Sequence, residues 1–126
     1  MAVSILIVDD SKLARIVAGK AIAELHPDWR KIEASSAEEA LAMLDTQHAD
    51  IALIDFNMAD KDGLQLAEEL RVRRPEMPIA IITANIQDEI VARARAAGAA
   101  FVAKPVTSDG LQGFLSGAAL RLRTKG

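Results

Sequence analysis

The chain has 126 residues, 51 % of them apolar and 3 % aromatic, with a net charge of −3. That length suits one domain, the apolar content argues against disorder, and the aliphatic bias means a core of Leu, Ile, Val and Ala. The acidic balance argues against bulk nucleic-acid binding, and the absence of cysteine excludes disulfides and thiolate chemistry.

The start, Met1-Ala2-Val3-Ser4, has no basic region followed by an apolar stretch, so neither a signal peptide nor a transmembrane helix is expected. A cytoplasmic location is the expectation. Ile5 to Val8 reads as a buried strand ending in Asp9-Asp10. Ser11 suits a helix N-cap, with Leu13, Ile16, Val17, Ala21 and Leu25 at helical spacing before His26-Pro27. Arg30 to Ala34 is a less apolar strand, nearer an edge. Ser36 with Glu39 predicts a capping box for a helix facing Ala40, Leu41 and Leu44 inward.

Ile51 to Asp55 is the stretch on which the rest converges, four apolar residues closing on a carboxylate. Asp60 to Gly63 reads as a turn, and Leu66, Ala67 and Leu70 mark a helix ending among the cations Arg71 to Arg74. After Pro75 and Pro78, Ile79 to Ile82 forms a fourth strand that stops at Thr83. Asp88 and Glu89 open an alanine-rich helix that Gly98 closes. Ala100 to Ala103 is a fifth strand ending in Lys104-Pro105. Thr107 or Ser108 opens the last helix, with Leu111, Phe114, Leu115, Ala118 and Leu122 on one face.

Five alternations of strand and helix, with no linker, predict one doubly wound α/β domain around a parallel sheet. Continuous apolar strands fit helices on both faces. In such sheets ligands sit beyond the carboxyl ends of the strands. Asp9, Asp10, Asp55, Thr83 and Lys104 all fall there, from four separate strands. Each alone has an ordinary explanation: Asp introduces turns, Thr ends strands, Lys is solvated. Their conjunction points to chemistry. Clustered carboxylates repel without a cation, and oxygen-only ligation selects a hard ion such as magnesium. A carboxylate can attack phosphorus, while a lysine and a hydroxyl neutralise and orient the phosphoryl oxygens.

With these marks, the chain resembles the receiver domains of two-component response regulators along its whole length, nearest in size to the stand-alone chemotaxis type. The matching residues are Asp9-Asp10, Asp55-Phe56-Asn57-Met58 to Asp62-Gly63, Thr83-Ala84, Phe101 and Lys104-Pro105. The resemblance implies a flavodoxin-like fold with strand order 2-1-3-4-5. It implies that Asp55 accepts a phosphoryl group from a histidine kinase, a phosphotransfer protein or a small phosphodonor. Asp10, Asp55 and the Asn57 carbonyl would bind magnesium directly, and Asp9 through water. It also implies a cis peptide at Lys104-Pro105 and a switch in which Thr83 moves toward the phosphoryl group and Phe101 follows. The helix over residues 87–97, the Phe101 strand and the last helix would then change affinity for an effector protein. Two departures stand out: Ala59 where the family commonly has proline, implying a looser loop, and Phe101 where tyrosine is frequent.

A magnesium phosphohydrolase is the rival from another class. Many such enzymes carry a second Asp two residues after the nucleophile, and Asn57 there cannot exchange a proton usefully. A receiver piece of a longer DNA-binding regulator is a further reading, and an unphosphorylated scaffold fits poorly with a complete acidic cluster. A monomer or weak dimer is expected. His26 is read as a helix end, Trp29 as a partly buried anchor, and Arg121, Arg123 and Lys125 as helix C-terminal cations.

Overall fold

A computed structural model describes residues 3–58, 60–84 and 87–125, the last three by backbone alone. The expected loosening at Ala59 and the side chains of Arg123 and Lys125 lie outside the described residues. Strands β1 (Ser4–Val8), β2 (Arg30–Ala34), β3 (Ile51–Asp55), β4 (Ile79–Thr83) and β5 (Ala100–Ala103) alternate with helices along the chain. The helices are α1 (Lys12–Leu25), α2 (Ala37–Leu44), α3 (Gly63–Arg73), α4 (Asp88–Ala96) and α5 (Ser108–Lys125). The strands form one parallel sheet in the order β2-β1-β3-β4-β5. This is the predicted flavodoxin-like α/β fold, with the polar strand β2 at an edge.

Alternation along the strands divides the core into two layers. Ile5, Ile7, Ile51, Leu53, Ala80, Ile82 and Val102 face α1 and α5. Leu6, Val8, Ala52, Ile54, Ile79 and Ile81 face α2, α3 and α4. β1, β3 and β4 are buried at every position, as two covered faces require.

Helix α1 forms as expected and buries only part of its apolar series. Leu13, Ile16 and Val17 are 71 %, 42 % and 40 % exposed, and the buried stripe is Ala18, Ala21 and Ile22. Steps of four residues drift around a helix of 3.6 residues per turn, so the series starts on the solvent side at Leu13 and reaches the core side at Ala21 and Leu25. Trp29 is more buried than expected, at 8 % exposure. Its ring stacks on His26 at 3.8 Å and 10°, and His26 caps the end of α1 as predicted.

The helix ends are tied by polar contacts the sequence disclosed only in part. Ser36 Oγ accepts from the Glu39 amide, but the Glu39 carboxylate accepts from the Ser35 amide, one residue short of a capping box. The full box lies at α3, where Asp62 accepts from the Gln65 amide and Gln65 from the Asp62 amide. Gly63 thus begins the helix rather than ending a turn. Thr107 caps α5 through the Gly110 amide. Arg71 serves its own helix end, donating to the carbonyl of the α3 C-cap residue Arg74 at 3.4 Å, and reaches beyond it. Its guanidinium donates to the carbonyls of Pro75 (2.8 Å), Ala97 (2.9 Å) and Gly98 (3.1 Å), fastening α3 to the end of α4. Gly98 has φ +69°, the left-handed helix stop that glycine adopts without strain. Arg121 donates to the Glu76 carbonyl at 3.1 Å. Among the described residues no helix is long and apolar enough to cross a membrane.

Candidate phosphoacceptor site

The carboxyl edge of the sheet gathers the polar residues that follow its strands. Val8 pairs with Ile54 and Asp55 with Ile82, so the ends of β1, β3 and β4 lie side by side. Carboxylate oxygens of Asp9, Asp10 and Asp55 all lie within 4.8 Å of one another. Asp9 and Asp55 are buried, while Asp10 faces solvent. Lys104 Nζ reaches Asp55 Oδ1 at 2.6 Å. The Lys104 amide donates to the Thr83 carbonyl at 3.1 Å, and Thr83 is 1 % exposed. The Lys104-Pro105 peptide is cis, as the resemblance implied.

Strand alternation divides the group. Asp9, Asp55 and Lys104 continue the rows that face α1 and α5. Thr83 continues the Ile79 and Ile81 row on the opposite face, where half-buried Phe101 packs with the α2–α4 core. The structure therefore brings the side chains of Asp9, Asp10, Asp55 and Lys104 together and joins Thr83 to them through its backbone, with Thr83 and Phe101 in the same layer. Asn57 lies two residues beyond Asp55 and is exposed. Beside the acids a groove of about 250 Å³ runs between α1 and the segment that follows β5, lined by Leu13, Val17, Pro105 and Val106.

Electrostatics at this edge are unfavourable for bare carboxylates. Burial pushes the Asp55 carboxyl above the ordinary aspartate value; the Lys104 hydrogen bond opposes this, and the charges of Asp9 and Asp10 add to it. Burial opposes the Lys104 charge, yet the hydrogen bond and charge of Asp55, with Asp9 and Asp10 beyond, hold the ammonium above its usual range. Among the described residues Asp55 Oδ1 has no hydrogen-bonding donor beside that ion pair. An acidic oxygen-only cluster with an under-satisfied buried oxygen fits a small hard divalent cation.

Several residues that shape the site escaped sequence reasoning. A Cβ on Gly63 would lie 2.4 Å from the Asp55 carbonyl oxygen, so only glycine lets α3 start against the acidic strand. The Asp-Gly pair signalled a turn, not this close approach. Asp60 crosses to α2 and accepts from the Ala37 and Glu38 amides. Its carboxyl is held below the usual aspartate range, first by the Glu38 amide. Arg93 of α4 reaches Asp62 at 3.4 Å. No local pattern announces contacts between residues so far apart in sequence.

Residues 5–115 match the response regulator receiver domain family. The chain belongs to that family. It is 38 % identical over 111 residues to the positive alginate biosynthesis regulatory protein of Pseudomonas aeruginosa, covering 86 % of this chain and 44 % of that protein. It is 41 % identical over 78 residues to the transcriptional regulatory protein CitT of Bacillus subtilis, covering 61 % of this chain and 34 % of that protein. The receiver thus spans less than half the length of either relative. A CheY-like receiver from Methanospirillum hungatei superposes with a TM-score of 0.88 at 26 % identity, covering 100 % of both chains. Receivers are signalling domains rather than enzymes in the ordinary sense, and they interact with histidine kinases and effectors.

Proposed function

We propose that this receiver is switched by magnesium-dependent phosphorylation of Asp55, supplied by a histidine kinase, a phosphotransfer protein or a small phosphodonor in the cytoplasm. The observation that carries the reading is the convergence of Asp9, Asp10 and Asp55 within 4.8 Å, with Lys104 2.6 Å from Asp55. Asp10, Asp55 and the Asn57 carbonyl would hold the ion, with Asp9 acting through water. Bound magnesium would offset carboxylate repulsion and bind a phosphoryl oxygen. Asp55 supplies the nucleophilic oxygen, which forms the bond to phosphorus as the donor's leaving group departs. Lys104, already on Asp55 Oδ1, takes up negative charge on the arriving group. The Thr83 hydroxyl donates to another phosphoryl oxygen. Its shift draws Phe101 inward, and the surface of α4, β5 and α5 changes its affinity for an effector protein. Asn57 offers no proton-exchanging group for rapid turnover, so a long-lived signal suits the site better than hydrolysis.

Titration with beryllofluoride or acetyl phosphate in magnesium, followed by NMR, tests this. Trp29 precedes the first β1–β2 rung, Ser4 with Arg30, at the sheet edge opposite Asp55, so its fluorescence is a poor reporter. Asp55→Asn should abolish the response. A response that survives without Asp55, or without magnesium, contradicts the mechanism.

A second reading is favoured by the relatives' lengths. This receiver would act as the input part of a longer regulator, with a DNA-binding output beyond it. Sequencing the full gene product decides between the two.

A further inference from the structure

Arg15 stands in the first turn of α1, where a cation faces the positive end of the helix dipole. Its side chain is nonetheless only 14 % exposed. A guanidinium that gives up water needs fixed acceptors. It has two, from different parts of the chain: Nη1 donates to the Asp9 carbonyl at 2.6 Å, and Nε to Glu33 Oε1 at 2.9 Å.

The place of that fork in the sheet gives it meaning. The β1–β2 ladder ends at Val8 with Ala34, and the Asp9 amide makes one further bond to the Ala34 carbonyl at 3.1 Å. Past that point the chain turns toward α1, and Arg15 supplies the donor for the Asp9 carbonyl. The Asp9 side chain accepts from the Ser11 amide at 2.9 Å. Asp9 is therefore held at its amide, carbonyl and carboxylate by β2, α1 and the α1 cap. The peptide that Arg15 grips joins Asp9 to Asp10.

Resting on the phosphoacceptor reading above, we propose that Arg15 is a positioning residue, which fixes the Asp9-Asp10 turn so that both carboxylates face the cation site. Magnesium demands near-octahedral geometry, so carboxylates aimed by a loose turn bind it poorly. Lysine at this position keeps the charge but can reach only one of the two acceptors.

The test measures magnesium affinity calorimetrically at fixed ionic strength, for wild type, Arg15→Lys and Arg15→Gln. Both variants should bind about tenfold more weakly, the lower end of what loss of a ligand-orienting contact costs. Merely removing a nearby cation would have the opposite sign: Arg15→Gln would tighten binding and Arg15→Lys would match wild type, which overturns the proposal. Unchanged affinity in both folded variants with a lowered urea midpoint assigns Arg15 a structural role only, and also overturns it. Arg15→Lys carries the test alone if Arg15→Gln does not fold by circular dichroism. A wild-type chain that binds no magnesium defeats the phosphoacceptor reading too, whereas binding that all three proteins share defeats only the role of Arg15.

Discussion

Gly63→Ala probes the most crowded of the glycine sites among the described residues. The added Cβ would lie 2.4 Å from the Asp55 carbonyl oxygen, 3.0 Å from its carbonyl carbon and 3.0 Å from Ile54 Cγ2. Two of these neighbours are backbone, so no flexible side chain can swing aside. Bringing the oxygen to the 3.0 Å limit of real Cβ contacts means a shift of about 0.6 Å between α3 and the end of β3. Overpacking of this kind costs roughly 1–3 kcal/mol. Alanine in a helix returns up to about 1 kcal/mol relative to glycine. The net expectation is a loss of about 1–2 kcal/mol in urea denaturation. Asp55 itself is displaced, and misplacement by a fraction of an ångström to one ångström slows oriented reactions by about 10- to 100-fold. Phosphorylation by acetyl phosphate, followed on an acrylamide gel that retards phosphoprotein, should slow on that scale at saturating magnesium. A Gly63→Ala protein as stable as wild type and phosphorylated at the same rate would refute the reasoning.

Three further outcomes are expected. Because the folded Asp55 carboxyl lies above its unfolded value, its contribution to stability is present below the unfolded pKa and disappears as pH rises through the folded pKa; Asp55→Asn should therefore raise the neutral-pH melting temperature in magnesium-free buffer by about 2–5 °C. Asp60 has the opposite sign: its contribution is present above the unfolded value of 3.8 and is lost as pH falls through the lower folded pKa. Asp60→Ala should cost about 1 kcal/mol at pH 7 through the lost α2 cap, and the gap in urea midpoints should close in strong acid. Magnesium at about a hundred times its dissociation constant should stabilise wild type by about 2.7 kcal/mol and Asp10→Asn by much less at the same concentration, measured by thermal melts with and without EDTA.

The architecture was legible because its signals are local and repeated. Apolar runs of four residues marked four of the five strands, and the polar residues after them marked the same sheet edge. Helix faces were less secure. On α1, large apolar side chains and small ones both follow helical spacing, and only the sheet decides which row is buried. The acidic cluster could be read because each member ends a strand. Arg15, Asp60, Gly63 and Arg71 could not, since their roles depend on main-chain atoms of other segments. Phe101 is the intermediate case, a half-buried residue in the layer of Thr83 whose position alone does not distinguish filler from switch.

The four carbonyls to which Arg71 donates bear on how α4 can travel. Two of them, at residues 97 and 98, lie just past the last turn of α4, while its first turn follows the Thr83 end of β4. Under the proposed switch the helix would act as a lever with its pivot at the far end: a push delivered beside Thr83 would sweep the first turn widest and fade toward Gly98, with α3 coupled to the fulcrum.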